Sequence, residues 1–162
     1  MEDIFDTVLL RAVGISAGHP LASVLSGRSN IIELTEKSHD AALKPEPTGG
    51  LSHSQRAALA CRMSRLSLEF GLASHYEAMV EIEDAYIAYP SFERADDPRL
   101  MAVIRHADLV TRNPKDAAPD DIAALKAAGI SVEDIVRLSQ LIAFVNYQVR
   151  VVAGLRLMAA VS

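Results

Sequence analysis

Histidine, cysteine and arginine are the side chains of this chain that could do chemistry, and their spacing limits which chemistry that is. There are five histidines, and an imidazole titrates close enough to neutrality to serve as a general acid or base. His75 has Glu69, Tyr76 and Glu77 near it in sequence, which makes it a candidate general base or a hydrogen bonder in a ligand pocket. His19, His39, His53 and His106 do not stand at metal-ligand spacing from one another, so neither a metal nor a cofactor is expected unless the fold gathers them. Cys61 is the only cysteine, which excludes an intrachain disulfide and a Cys-based metal cluster. Its two readings are a small core residue and a thiol that only an external thiol could resolve. Arg56, Arg62 and Arg65 are the nearest approach to a basic cluster, and they are expected on a solvated helix face. Asn146, Tyr147 and Arg150 interrupt a very apolar stretch. Unpaired polar groups are costly there, so they must find partners, either in a buried network at a subunit interface or around a pocket.

Composition sets the frame around these groups. A chain of 162 residues suits one domain that buries roughly two thirds of its unfolded surface. Aromatics are scarce and tryptophan is absent, so Ala, Leu, Val and Ile must build the interior, as in close-packed helices. A formal net charge of -5 argues against nucleic acid, whose phosphates need clustered Lys and Arg. The opening Met1-Glu-Asp-Ile-Phe-Asp is acidic where a secretory signal needs a basic start. The longest charge-free run, between Arg137 and Arg150, falls short of the ~20 apolar residues that cross a bilayer. A cytoplasmic location is expected.

Helical periodicity recurs along the chain and sustained period-2 alternation does not, which predicts an all-α bundle. Helices are expected over Ile4 to Val13, from His19-Pro20, and from an Asn30 cap to Leu43 with Ile31 and Leu34 on the apolar side. Lys44 to Gly50, with two prolines and two glycines, must be irregular. Ser52 and Gln55 form a capping-box pattern, followed by Leu59, Met63, Leu66 and Phe70 as one buried stripe. His75, Met79, Ile82 and Tyr86 repeat that spacing on a second segment, and Ala88 to Asp97 is a loop. Asp97-Pro98 opens a further helix with Leu100, Val103, Ile104 and Ala107 on its buried face, and Asn113-Pro114 stops it. Gly129 closes a short helix from Asp120, and Ser131 with Asp134 caps a last helix toward Ala160. That last helix is apolar almost all round, so it should lie in the core or in a subunit interface.

Three blocks give the chain a resemblance to a known family. They are the Leu51-Ser52 entry with its Arg- and Ala-rich helix, the His75 segment, and Pro119 to Gly129 followed by Ile135 to Gly154, which keeps Asn146, Tyr147 and Arg150 but has Val149 where a second Asn is usual. In order and spacing they resemble the alkylhydroperoxidase-D (AhpD) / carboxymuconolactone-decarboxylase superfamily over about two thirds of the chain. Residues 1–50 then read as an added helical arm before an AhpD-like helical domain at 51–162. The family motif is Cys-x-x-Cys-x-x-x-His; anchored on His75, it places its cysteines at Leu68 and Gly71, and its assisting glutamate on or beside Arg56. The resemblance therefore implies the scaffold without the thiol peroxidase chemistry, which needs a thiolate and a resolving partner. Three roles follow as expectations. The first is a degenerate subunit that assembles with itself, as a dimer, trimer or hexamer, or with a cysteine-bearing relative. The second is a non-redox lyase of the decarboxylase type acting on a small acid or lactone, with His75 as acid or base. The third is a one-cysteine, antioxidant-type peroxidase using Cys61.

Overall fold

The computed structural model describes residues 3–93 and 96–162. Its fold is all-α, and no strand occurs among the described residues. The helices are α1 (Val8–Val13), α2 (Ala22–Ser26), α3 (Ser29–Leu43), α4 (His53–Leu66), α5 (Phe70–Glu77), α6 (Pro98–Arg112), α7 (Pro119–Ala127) and α8 (Val132–Ala159), with 3-10 turns at Ile4–Asp6, Ile82–Ala88 and Pro114–Asp116.

Local chemistry explains most boundaries. The Ser52 hydroxyl accepts from the Gln55 amide, and the Gln55 side chain accepts in return from the Ser52 amide. The Asp97 carboxylate caps α6 through the Arg99 amide, and Ser131 caps α8 through the Asp134 amide. Each such cap contributes about 1 kcal/mol. Gly14 and Gly129, with φ of 82° and 81°, close α1 and α7 in the left-handed region that glycine tolerates. The expected N-terminal helix is split at Thr7, and Asn30 lies inside α3 rather than at its cap. Residues 94 and 95, within the expected Ala88–Asp97 loop, lie outside the described residues, as do residues 1 and 2.

The centre of the molecule is α4. Ala57, Ala58, Leu59, Ala60, Cys61 and Met63 are all buried, because α5, α6, α8 and the Ile82–Ala88 turn surround them. Small residues let these neighbours come close, and each fully buried Leu or Met contributes about 1.5–3 kcal/mol. The first fifty residues pack onto the rest. Val8, Leu9 and Leu43 belong to the main core, while Ile4, Leu10, Ile15, Leu25 and Ile32 form a second cluster against Leu155 and Ala159 of α8. A carboxylate oxygen of Glu36 accepts from the Val8 amide, tying the N-terminus of α1 to α3.

Several apolar faces differ from expectation. Phe70 is 64% exposed because the chain leaves helical geometry at Ser67 to Glu69 and re-enters it with a new phase. Helix α5 ends at Glu77, so the His75 and Met79 stripe does not continue, and Ile82 is 85% exposed. On α3 the buried residues are Ile32, Thr35, His39 and Leu43, which leaves Ile31 and Leu34 facing out. Helix α8 buries Ile135, Leu138, Leu141, Ile142, Val145 and Val152 but exposes Val132, Val136 and Tyr147. One eighteen-residue window of α8 reaches a mean hydropathy of 1.3, enough by length and composition alone to cross a membrane. The core helix of a compact bundle meets the same criterion, and the inner side of α8 is packed on the bundle.

Candidate functional site

The backbone treats Leu68 and Gly71, the two positions that the resemblance aligns with cysteines, very differently. Leu68 lies between α4 and α5 with φ of 58° and is 73% exposed, so it shares no helix face with His75. Gly71 does lie on α5, one turn before His75, but a Cβ there would sit 2.6 Å from the carbonyl oxygen of Ala12. Glycine is required at that point because α1 and α5 approach backbone to backbone. Cys61 is fully buried, its Sγ donates to the Ala73 carbonyl at 3.3 Å, and burial pushes the thiol up to about 11. A thiol so held is not a thiolate near neutral pH.

Arg56 is buried and donates to the carbonyls of Thr48 and Ala42, so it fastens the irregular 44–50 segment. The expectation of a solvated arginine face is overturned. Arg62 is buried in a bidentate pair with Asp108, 2.7 Å on each arm, and also donates to the carbonyls of Ile87, Tyr89 and Pro90. Arg65 binds Glu77 and the Ala88 carbonyl and lies 4.4 Å over the Tyr89 ring. The turn and loop after α5 leave their carbonyls without helical partners, and these guanidiniums supply the donors.

His75 is brought against His39 of α3, with Nε2 to Nε2 at 3.1 Å. His39 is buried, and its Nδ1 lies 3.2 Å from Oδ1 of Asp40. The rings stack beside Tyr76 and Phe144, and the Tyr76 hydroxyl donates to the Gln148 side-chain oxygen in the core. Desolvation by burial, with His39 and then Arg11 and Lys44 adding to it, lowers His75 to about 4. The His75 ring is therefore neutral at pH 7. Asp40 as a carboxylate accepts only, so the His39 Nδ1 that faces it carries a proton, an assignment made from the bonding pattern. The Nε2 of His75 is engaged with His39, and its Nδ1 has no hydrogen-bond partner among the described residues.

The sequence singled out His75 and missed His39. The helical spacing of Ile32, Thr35, His39 and Leu43 held the signal, but which face of α3 turns inward is decided by α4 and α8. Among the described residues, no group of three or more His, Cys, Asp or Glu is placed to hold a metal. Asn146, Tyr147 and Arg150 find their partners within the chain: Asn146 donates to Thr111 and the Ile142 carbonyl, Tyr147 meets the Thr35 hydroxyl at 3.1 Å, and Arg150 donates to the Asn146 carbonyl. No protein-family model matches the chain, and no curated protein matches it. Neither histidine of the pair lines the surface groove between α3 and α8 or the one between α6 and α8, although Phe144, which meets the His39 ring edge-on, lines the first.

Proposed function

We propose that this chain is a cytoplasmic, thiol-free subunit of the AhpD/carboxymuconolactone-decarboxylase type that works by assembling, with itself or with a cysteine-bearing relative. The observation that carries this reading is the exposed apolar ridge of α3 and α8. Ile31, Leu34 and Tyr147 are all solvent-facing around a groove of about 350 Å³, with Val132 and Val136 exposed further along α8. Large apolar residues gathered in this way mark association surfaces. The absence of peroxidase chemistry is supported separately by the left-handed backbone at Leu68, the blocked Cβ at Gly71 and the raised thiol of Cys61. Light scattering at micromolar concentration should give a mass above that of the monomer, and Leu34→Asp with Tyr147→Asp should return it to the monomer. A stable monomer for the parent chain overturns the assembly reading. Installing Leu68→Cys and Gly71→Cys should destabilise the fold by about 1–3 kcal/mol through overpacking at 71 and yield no hydroperoxide turnover.

A second reading has its own observation. The His39–His75 contact, with Asp40 behind it, leaves one ring nitrogen of His75 uncommitted among the described residues. A non-redox lyase acting on a small acid or lactone needs such a base. If that reading holds, His75→Gln should abolish turnover of a substrate found by screening; unchanged turnover removes His75 from the mechanism.

A further inference from the structure

We propose that the groove between α6 and α8 is a binding site for an organic monocarboxylate with an apolar body. The groove measures about 520 Å³, inside the roughly 300–1,000 Å³ range of small-molecule sites. Val110, Pro114, Ile142 and Ala143 give it apolar walls, and no Asp or Glu lines it. The single charge there is Arg150, whose only bond is to the Asn146 carbonyl; no carboxylate lies within ion-pair distance of it among the described residues. In a chain of net charge -5, a cation without a counter-charge beside an apolar wall is a place for an acidic head group.

The second observation is His106, which lines the same groove and is only 9% exposed. Its Nδ1 is buried with no partner, while its Nε2 is neither bonded nor closed off. A proton on Nδ1 would leave an orphan N–H, the more costly of the two vacancies. The ring therefore carries its proton on Nε2, the nitrogen left free to donate, and it borders both this groove and the neighbouring one that Asp121 lines. Arg150 and His106 thus offer a cation and a neutral donor over one apolar floor, matching a carboxylate that carries a hydrocarbon. Tyr147 and Ala143 line this groove as well as the one proposed for assembly, so the two readings share one wall.

The full chain would be titrated with octanoate and with benzoate while backbone amide NMR shifts are followed, each against its neutral counterpart, octanol or benzamide. At least one acid should bind with shifts at Val110, Ser139 and Arg150, and should bind about tenfold tighter than its neutral counterpart, as a charge-assisted hydrogen bond requires. Octanoate alone indicates an aliphatic ligand, and benzoate an aromatic one. Arg150→Ala should weaken binding by about tenfold, and Ser139→Trp, which fills the groove from an exposed position, should abolish it. Both substitutions are at solvent-facing sites, and unchanged circular dichroism verifies the fold. The proposal is overturned if neither acid binds, if neutral and charged forms bind alike, if Arg150→Ala binds as the parent does, or if the shifts fall at His39 and His75 instead.

Discussion

The arginines of α4 and the histidines joining α3 to α5 are both polar groups inside an apolar bundle, yet they are held on opposite terms. Arg62 is saturated: its guanidinium satisfies two carboxylate oxygens and three carbonyls, and every partner belongs to the α6 helix or the loop that it fastens. The histidine pair keeps capacity in reserve, since His75 is neutral and has one nitrogen uncommitted among the described residues. A fully engaged ion holds structure and has nothing left for a ligand. A neutral imidazole with a spare lone pair costs less to bury and can still move a proton.

The largest expected effect tests the saturated side. Arg62→Ala should cost about 3–5 kcal/mol in denaturant unfolding, because it strands Asp108 and three carbonyls. A loss below about 1 kcal/mol would mean that Arg62 is no more than a surface pair.

Acid should distinguish the two regions next. Folded His75 takes up its proton near 4, against 6.5 for a free ring. Between those values the unfolded chain binds more protons, so stability is full above about 6.5 and falls as the pH drops toward 4. The loss should be about 2 kcal/mol after allowing for the ring's partial contact with water. His75→Phe should flatten most of that slope, with His106, also lowered by burial, supplying the remainder. An unfolding free energy that stays level from 6.5 to 4 in the parent would contradict the lowered proton affinity of His75.

The smallest effect lies at the junction between α4 and α5. Leu68 occupies left-handed backbone with little side-chain burial, so Leu68→Gly should raise stability by about 0.5–1 kcal/mol, read from the thermal midpoint. A decrease would show that the exposed leucine makes a contact worth more than its strain.

What was legible in the sequence was what is local. The capping pairs at Ser52 and Gln55, at Asp97 and Arg99, and at Ser131 and Asp134 involve residues two or three apart, and each is formed. Which face turns inward was less legible. A break of three residues at Ser67 to Glu69 turns Phe70 outward, and the end of α5 at Glu77 does the same for Ile82, despite correct spacing. The burial of Arg56, Arg62 and Arg65 depends on carbonyls that distant loops present, information absent from the helix that carries them. His39 meets His75 across 36 residues, and neither local periodicity nor ligand spacing reports such a meeting.

The closeness of Gly71 to the Ala12 carbonyl has a consequence for how this chain can change over generations. Any larger side chain at that codon must first be accommodated by a displaced N-terminal segment. A lineage carrying this contact would have to loosen its opening helix before it could place any side chain at position 71.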